Sequence, residues 1–198
     1  AAMAGACLGA CYGLNVIPAD SNRVVNIGDI EVSAQRIAAI SPTVSSPSSS
    51  GQEPKAAENV HAAFLIDRSG SMNGLVSDVI GGYNGFVKEQ RTLHAKGECV
   101  FTAVQFDSED PFKVMHNATP ISLVPELIPA GYQPRGLTPL FDALGKLIQT
   151  IEKRVDASTV PEDQIVVVFT DGHENDSREW TKEALFKLIT EKEKEGWT

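Results

Sequence analysis

The sequence contains few cysteines, which excludes the class of small secreted proteins held together by disulfide bonds. Only Cys7, Cys11 and Cys99 occur among the 198 residues. So odd and sparse a set is not a disulfide framework, and Cys99, which lies in an apolar run, is expected to be a buried free thiol. The low cysteine content favours a reducing compartment and hence a cytoplasmic location, with secretion and lipid anchoring as open alternatives.

The chain also lacks long apolar runs and an excess of basic residues. No stretch of about 18 consecutive apolar residues occurs, so no transmembrane helix is predicted. The formal net charge is −9, whereas a protein that binds the phosphates of nucleic acids presents a basic face. We therefore expect neither a membrane span nor a nucleic-acid partner.

Composition divides the chain into three parts. Residues 1–40 are a segment of unknown structure. Residues 41–57 are rich in serine and proline and almost free of apolar side chains, which is typical of a disordered linker. Residues 58–198 alternate apolar strands with amphipathic helices and are expected to form one domain.

Hydrophobic periodicity in this third part predicts the order β-α-β-β-α-β-α. Strands are expected at 60–66, 98–106, 112–116 and 164–170, and helices at 74–93, at 138–155 and from Asp176 or Ser177 to Glu195. Thr138 is expected to cap the second helix, with Pro139 in its first turn. The order predicts an α/β fold with a doubly wound, mostly parallel central sheet, helices on both faces and one antiparallel strand near an edge.

Polar residues follow the predicted strands at their carboxyl ends, where open α/β sheets bind ligands. Asp67, Ser69 and Ser71 follow the first strand in FLIDRSGSM, Thr138 opens a helix in RGLTPL, and Asp171 follows a strand in VVVFTDG. Two carboxylates and three hydroxyls are hard oxygen donors, which suit Mg²⁺ or Mn²⁺ and suit Zn²⁺ poorly. The five residues are therefore candidate metal ligands.

These motifs, in this order, resemble the metal-ion-dependent adhesion site of the von Willebrand factor type A domain family. The resemblance covers residues 58–198. It implies that Ser69, Ser71 and Thr138 are hydroxyl ligands, and that Asp67 and Asp171 bind the ion directly or through water and orient the serines. It also implies that an open position on the ion takes an Asp or Glu carboxylate from a protein partner.

The sequence departs from the family pattern at its carboxyl-terminal end. Such domains usually add a last strand and helix after the point where EKEGWT stops, so this strand and helix are expected to be absent from the given chain and the domain at 58–198 to be incomplete at its carboxyl end. Gly196-Trp197-Thr198 is similar to the entry of that strand. Gly70 and Gly172 would let the backbone pass close to the ion.

Other interpretations stay open beside this one. The same site would serve a docking subunit of a larger assembly of the ATPase or chelatase type, or, with less support, a metal-dependent hydrolase. The sequence favours a binding module over an enzyme, since no convincing nucleophile or base stands beside the metal motifs and His173 is expected to be an exposed loop residue. The acidic stretch of Asp107, Glu109 and Asp110 lacks EF-hand spacing and is expected to be a solvated hairpin turn.

Overall fold

The computed structural model describes residues 59–94 and 99–198, which form an α/β fold around a four-stranded sheet. The strands are β1 (Val60–Asp67), β2 (Cys99–Phe106), β3 (Lys113–Pro120) and β4 (Asp163–Phe169). The helices are α1 (Val76–Leu93), α2 (Leu140–Ala157) and α3 (Lys182–Lys194), with short 3-10 helices at Gly70–Leu75, Ile121–Leu123 and Pro129–Gly131. The predicted element order is confirmed, whereas the segment at 1–40 and the linker at 41–57 lie outside the described residues.

The sheet is mixed and mostly parallel, as predicted. Its order is β3-β2-β1-β4, with β1 parallel to both β2 and β4 and with β3 antiparallel to β2. Parallel strands end at the same edge, so Asp67 lies opposite Phe106 on one side, and Ile66 lies opposite Phe169 on the other. The loops that follow β1 and β4 therefore begin side by side.

The side chains of β1 alternate between two apolar clusters, and all eight residues of the strand are buried. Phe64 and Ile66 belong to the cluster that includes the buried residues of α1, where the Phe64 ring lies 4.5 Å from Phe86 and 5.0 Å from Phe101, centroid to centroid. Leu65 belongs to the second cluster, together with buried residues of α2 and Leu185 of α3. Because successive side chains of a strand point to opposite faces, apolar packing on both faces fixes β1 as the centre of the fold.

Two predicted helix starts are wrong. Thr138 does not cap α2, because the cap position is Pro139 and the helix begins at Leu140. The third helix begins at Lys182, where Thr181 accepts a hydrogen bond from the Ala184 N–H, and not near Asp176. The reason is tertiary: residues 172–180 hydrogen-bond to the amino end of α2 and do not continue a helix of their own.

A further segment lies beyond β4. Thr198 donates its N–H to the Gln164 carbonyl at 2.9 Å and accepts the Val166 N–H at 2.7 Å. This is the bonding pattern of a parallel strand pair, and it places the segment Gly196-Trp197-Thr198 along the outer side of β4. Within the described ranges, no helix has the length and apolar character needed to cross a membrane.

A buried polar chain crosses all four strands at the opposite end of the sheet from the candidate metal ligands. His61 is the second residue of β1 and is 1% exposed. Its Nδ1 is 2.8 Å from Gln164 Oε1 and its Nε2 is 2.8 Å from Thr102 Oγ1, which also accepts the Ala118 N–H at 3.0 Å. All these hydrogen bonds form with a neutral His61, if its Nδ1–H donates to Gln164 and its Nε2 accepts from the Thr102 hydroxyl.

This arrangement predicts a loss of stability in mild acid. Burial lowers the pKa of His61, although the hydrogen bond that it donates to Gln164 opposes the shift. As the pH falls below about 6.5 the unfolded chain takes up the proton first, so the free energy of unfolding decreases as the pH falls further towards the folded-state pKa. Melting temperatures of the parent and His61→Gln at pH 7.5 and 5.0 check this, since the variant should lose less stability between the two values.

The exposed His173 provides the matched control for this measurement. His173→Gln should keep the parent's dependence on pH. Equal losses for the parent and His61→Gln would show that His61 does not carry the effect.

Candidate metal site at the carboxyl ends of the strands

The carboxylate of Asp67 is buried and held from two directions. Asp67 ends β1 and is 0% exposed. Its Oδ1 accepts the Ser69 N–H at 2.7 Å, and its Oδ2 accepts the Thr170 hydroxyl at 2.7 Å. The Tyr132 hydroxyl donates to the Asp67 carbonyl at 2.5 Å. The carboxylate therefore joins the loop after β1 to the end of β4.

The electrostatics around Asp67 are unfavourable for its own charge. Burial raises the pKa of Asp67, hydrogen bonds from Ser69 and Thr170 lower it, and the nearby carboxylate of Asp171 raises it again. Among the described residues, no ion pair is formed by Asp67 or by Asp171. Two carboxylates of like charge thus lie near each other, which is an arrangement that a cation stabilises.

The loop after β1 brings its two serine hydroxyls together. Ser69 Oγ and Ser71 Oγ are 3.0 Å apart, with Ser69 buried and Ser71 exposed. The alternation of Asp67, Ser69 and Ser71 does not arise from an extended strand, because residues from Gly70 onward form a 3-10 helix. The Ser69 N–H instead turns back to the Asp67 side chain, as in turns that aspartate initiates.

Gly70 connects this loop to the segment that carries Thr138. The Gly70 N–H donates to the Gly136 carbonyl at 3.1 Å, and a Cβ at Gly70 would lie 3.4 Å from the same oxygen. The two backbones are therefore in direct contact, and a Cβ at Gly70 would just reach van der Waals distance of the oxygen. Thr138 follows two residues after Gly136, so the hydrogen bond places the start of α2 beside the serine loop.

Thr138 is fixed by its backbone and keeps its hydroxyl available. Its N–H donates to Asn175 Oδ1 at 2.8 Å, and its carbonyl accepts the Asn175 N–H at 3.1 Å. The residue is 1% exposed, and within the described part of the chain its hydroxyl makes no hydrogen bond. The reciprocal pair attaches Thr138 to the loop that begins at Asp171.

The loop after β4 starts with a tight turn around Asp171. Thr170 Oγ1, which donates to Asp67, accepts the Gly172 N–H at 3.0 Å. Gly172 has a φ of 83°, in the left-handed region that glycine adopts without strain. The turn redirects the chain towards the amino end of α2, where Glu174 and Ser177 accept the Phe141 N–H.

The structure thus brings together the segments that carry all five candidate ligands. Asp67 and Asp171 are close enough to interact electrostatically, and Ser69 and Ser71 are in contact. Thr138 is bonded to Asn175, and Gly136, two residues before it, is bonded to Gly70. The positioning residues Thr170, Tyr132 and Asn175 were not identified from the sequence. The TDG motif that contains Thr170 was a usable signal, whereas Tyr132 and Asn175 lie in irregular loops without one.

The donor set fits a hard divalent cation. It offers two carboxylates and three hydroxyls, which is the oxygen chemistry that Mg²⁺ and Mn²⁺ prefer. In the described ranges, no group of three or more His, Cys, Asp or Glu side chains is arranged to hold a metal ion. A site at this edge would therefore depend on its serine and threonine oxygens as much as on its carboxylates.

One acidic residue behind the site was misjudged. Asp107 was expected in a solvated turn but is 0% exposed and pairs with the side chain of Arg68. The turn is dehydrated there because Arg68 lies beneath it, 5% exposed. Glu109 stays exposed, as predicted.

Comparison of the chain with protein-family models gave no match, and no curated protein matches it significantly.

The Thr170 hydroxyl is predicted to hold the site together. Thr170→Val removes a donor to Asp67 and an acceptor for the Gly172 N–H at almost constant volume, which should lower the free energy of unfolding by about 1 to 3 kcal/mol. Urea denaturation of the parent and the variant measures the difference.

Thr159 offers a matched control, since it is exposed and lies in the loop between α2 and β4, away from the site. Thr159→Val should change the free energy of unfolding by less than about 0.5 kcal/mol. A Thr170→Val variant as stable as this control would contradict the role assigned to the hydroxyl.

Proposed function

We propose that residues 58–198 form a doubly wound domain of the von Willebrand factor A type. In this proposal, Asp67, Ser69, Ser71, Thr138 and Asp171 hold Mg²⁺ or Mn²⁺ and make the domain a metal-dependent protein-binding module. The observation that carries the proposal is a set of hydrogen bonds among three loops distant in sequence: Thr170 to Asp67, Gly70 to Gly136, and Thr138 to Asn175.

The charges and exposure of the site residues support capture of an anionic partner group. Two carboxylates match the charge of a divalent ion, while three neutral hydroxyls add ligands without neutralising it further. A bound Mg²⁺ would supply an electrophilic position for a partner's Asp or Glu carboxylate. Ser71 is exposed whereas Asp67 and Ser69 are buried, so the site faces solvent on the Ser71 side.

The contacts of the hydroxyls support binding over catalysis. A nucleophilic serine needs a general base within hydrogen-bond reach. Ser69 Oγ contacts Ser71 Oγ, and the carboxylate beside Ser69 is that of Asp67, which is itself a proposed metal ligand. The Ser69-Ser71 pair is better suited to supplying two oxygens to one ion than to activating one of them.

Metal binding should stabilise the fold. Mg²⁺ at about 100 times its dissociation constant should add about 2.7 kcal/mol to the free energy of unfolding, because the unfolded chain does not assemble the site. Asp67→Ala should abolish this response, and differential scanning fluorimetry with Mg²⁺ or EDTA measures it.

Asp156, exposed at the carboxyl end of α2, is the matched control position for this response. Asp156→Ala should respond to Mg²⁺ as the parent does. An unchanged melting temperature of the parent at millimolar Mg²⁺ would contradict the metal site.

Partner capture should require both the metal and an acidic residue. Selection from a random peptide-display library on the immobilised protein in Mg²⁺ should enrich peptides that contain Asp or Glu. Replacing that residue by Asn or Gln, or adding EDTA, should abolish binding in fluorescence polarisation. Selected peptides that lack acidic residues, or that remain bound in EDTA, would contradict carboxylate capture.

A further inference from the structure

An arginine lies within the candidate metal loop itself. Arg68 stands between Asp67 and Ser69 in the chain, so its positive charge is placed next to residues proposed to bind a cation. A free guanidinium there would repel a divalent ion and compete with it for Asp67 and Asp171. The sequence alone does not show how this conflict is resolved.

The structure resolves it by pairing Arg68 with Asp107, which follows β2 and whose Oδ2 also accepts a hydrogen bond from the exposed Arg135 at 3.2 Å. Arg68 Nε donates to Asp107 Oδ2 at 2.7 Å, and Arg68 Nη2 is 2.6 Å from the same oxygen. Arg68 Nη1 donates to Gln105 Oε1 at 3.3 Å. Arg68 and Asp107 are 5% and 0% exposed, so solvent screens their interaction weakly.

Asp107 is prepared to carry the opposing charge. Burial raises its pKa, but the N–H groups of Asp110 and Glu109 and the guanidinium groups of Arg135 and Arg68 outweigh burial and hold the pKa below its usual range. Its Oδ1 accepts the N–H groups of Glu109 and Asp110, each at 2.7 Å. The oxygen that faces Arg68 is therefore part of a fixed, ionised carboxylate.

The backbone of Arg68 is fixed as well. Its N–H donates to the Phe106 carbonyl at 2.8 Å, and its carbonyl accepts the Arg135 N–H at 2.7 Å. The guanidinium therefore extends from an anchored residue towards the hairpin that joins β2 and β3.

We propose that Asp107 is a specificity-determining residue that neutralises Arg68 and thereby leaves the pair Asp67 and Asp171 with the net charge that selects a divalent cation. This inference rests on the proposed function and extends it to the charge balance of the same site. It assigns Asp107 an electrostatic role in addition to its structural one, and the two roles predict different signs for the effect of removing Arg68.

The test is a set of three variants titrated with Mg²⁺ by isothermal titration calorimetry at pH 7.5. Asp107→Asn adds one net positive charge beside the loop and should weaken Mg²⁺ binding about tenfold. Arg68→Met removes one positive charge and should leave binding unchanged or tighten it, up to about tenfold. The double variant restores the net charge and should bind within about threefold of the parent.

If Asp107→Asn folds poorly because its buried Arg68 loses its main partner, the remaining two variants still test the inference. The double variant and Arg68→Met both lack the buried arginine and differ only at residue 107. The ratio of their Mg²⁺ affinities therefore measures the effect of Asp107 alone. Circular dichroism in EDTA verifies that each variant is folded. Arg154→Met/Glu162→Gln removes an ion pair that precedes β4, away from the loop, and should bind as the parent does.

Each outcome supports or overturns the inference. Weaker binding by Asp107→Asn with unchanged or tighter binding by Arg68→Met supports the electrostatic role. If Arg68→Met and the double variant both weaken binding, the pair acts only as a geometric support and the inference is wrong. If the parent binds Mg²⁺ and no variant differs, the inference alone fails, whereas a parent that does not bind Mg²⁺ removes the proposed function and this inference together.

Discussion

The hydrogen bond from Thr170 to Asp67 is the interaction on which this edge of the sheet depends. It connects the ends of the adjacent parallel strands β1 and β4 through a carboxylate that burial destabilises in its charged form. Because the same hydroxyl accepts the Gly172 N–H, the bond also sets the direction in which the chain leaves β4. The positions of Asp171 and, through Asn175, of Thr138 follow from that direction.

The parts of the fold that follow from local patterns were predictable. The buried run of β1 and the apolar face of α2 are recognisable from their composition and hydrophobic period. Because parallel strands end at the same edge of a sheet, Asp67 and Asp171 are predicted to lie at one edge. The starts of α2 and α3 were not predictable, because both depend on contacts that only the tertiary structure brings about. The Asp142 side chain accepts the N–H groups of Arg178, Glu179 and Trp180 ahead of α3. Glu174 and Ser177 accept the Phe141 N–H at the start of α2. At Asp176 and Ser177 the backbone N–H groups bond to the nearby Glu174 side chain, and the Ser177 hydroxyl accepts the distant Phe141 N–H, so capping propensity is overridden there.

The burial of charged side chains was the main feature that sequence patterns did not predict. A run such as FDSEDP has the composition of a solvated turn, and Glu109 follows that expectation whereas Asp107 does not. Asp107 is buried because Arg68, 39 positions earlier, turns away from the candidate ligands and beneath the hairpin. The carboxylates of Asp67 and Asp171 are thus separate from the buried Arg68–Asp107 ion pair. This separation arises only in the three-dimensional structure, and no local sequence pattern indicates it.

The central claim is that Asp67, Ser69, Ser71, Thr138 and Asp171 surround one divalent ion. Anomalous diffraction from crystals grown with Mn²⁺ tests it most directly, because the scattering locates the metal independently of binding or stability. We predict one strong peak with the hydroxyl oxygens of Ser69, Ser71 and Thr138 near the coordination distance, about 2.1 to 2.2 Å, and both carboxylates in direct or water-mediated contact. A well-ordered site without a peak, or a peak bound only by other residues, would contradict the claim.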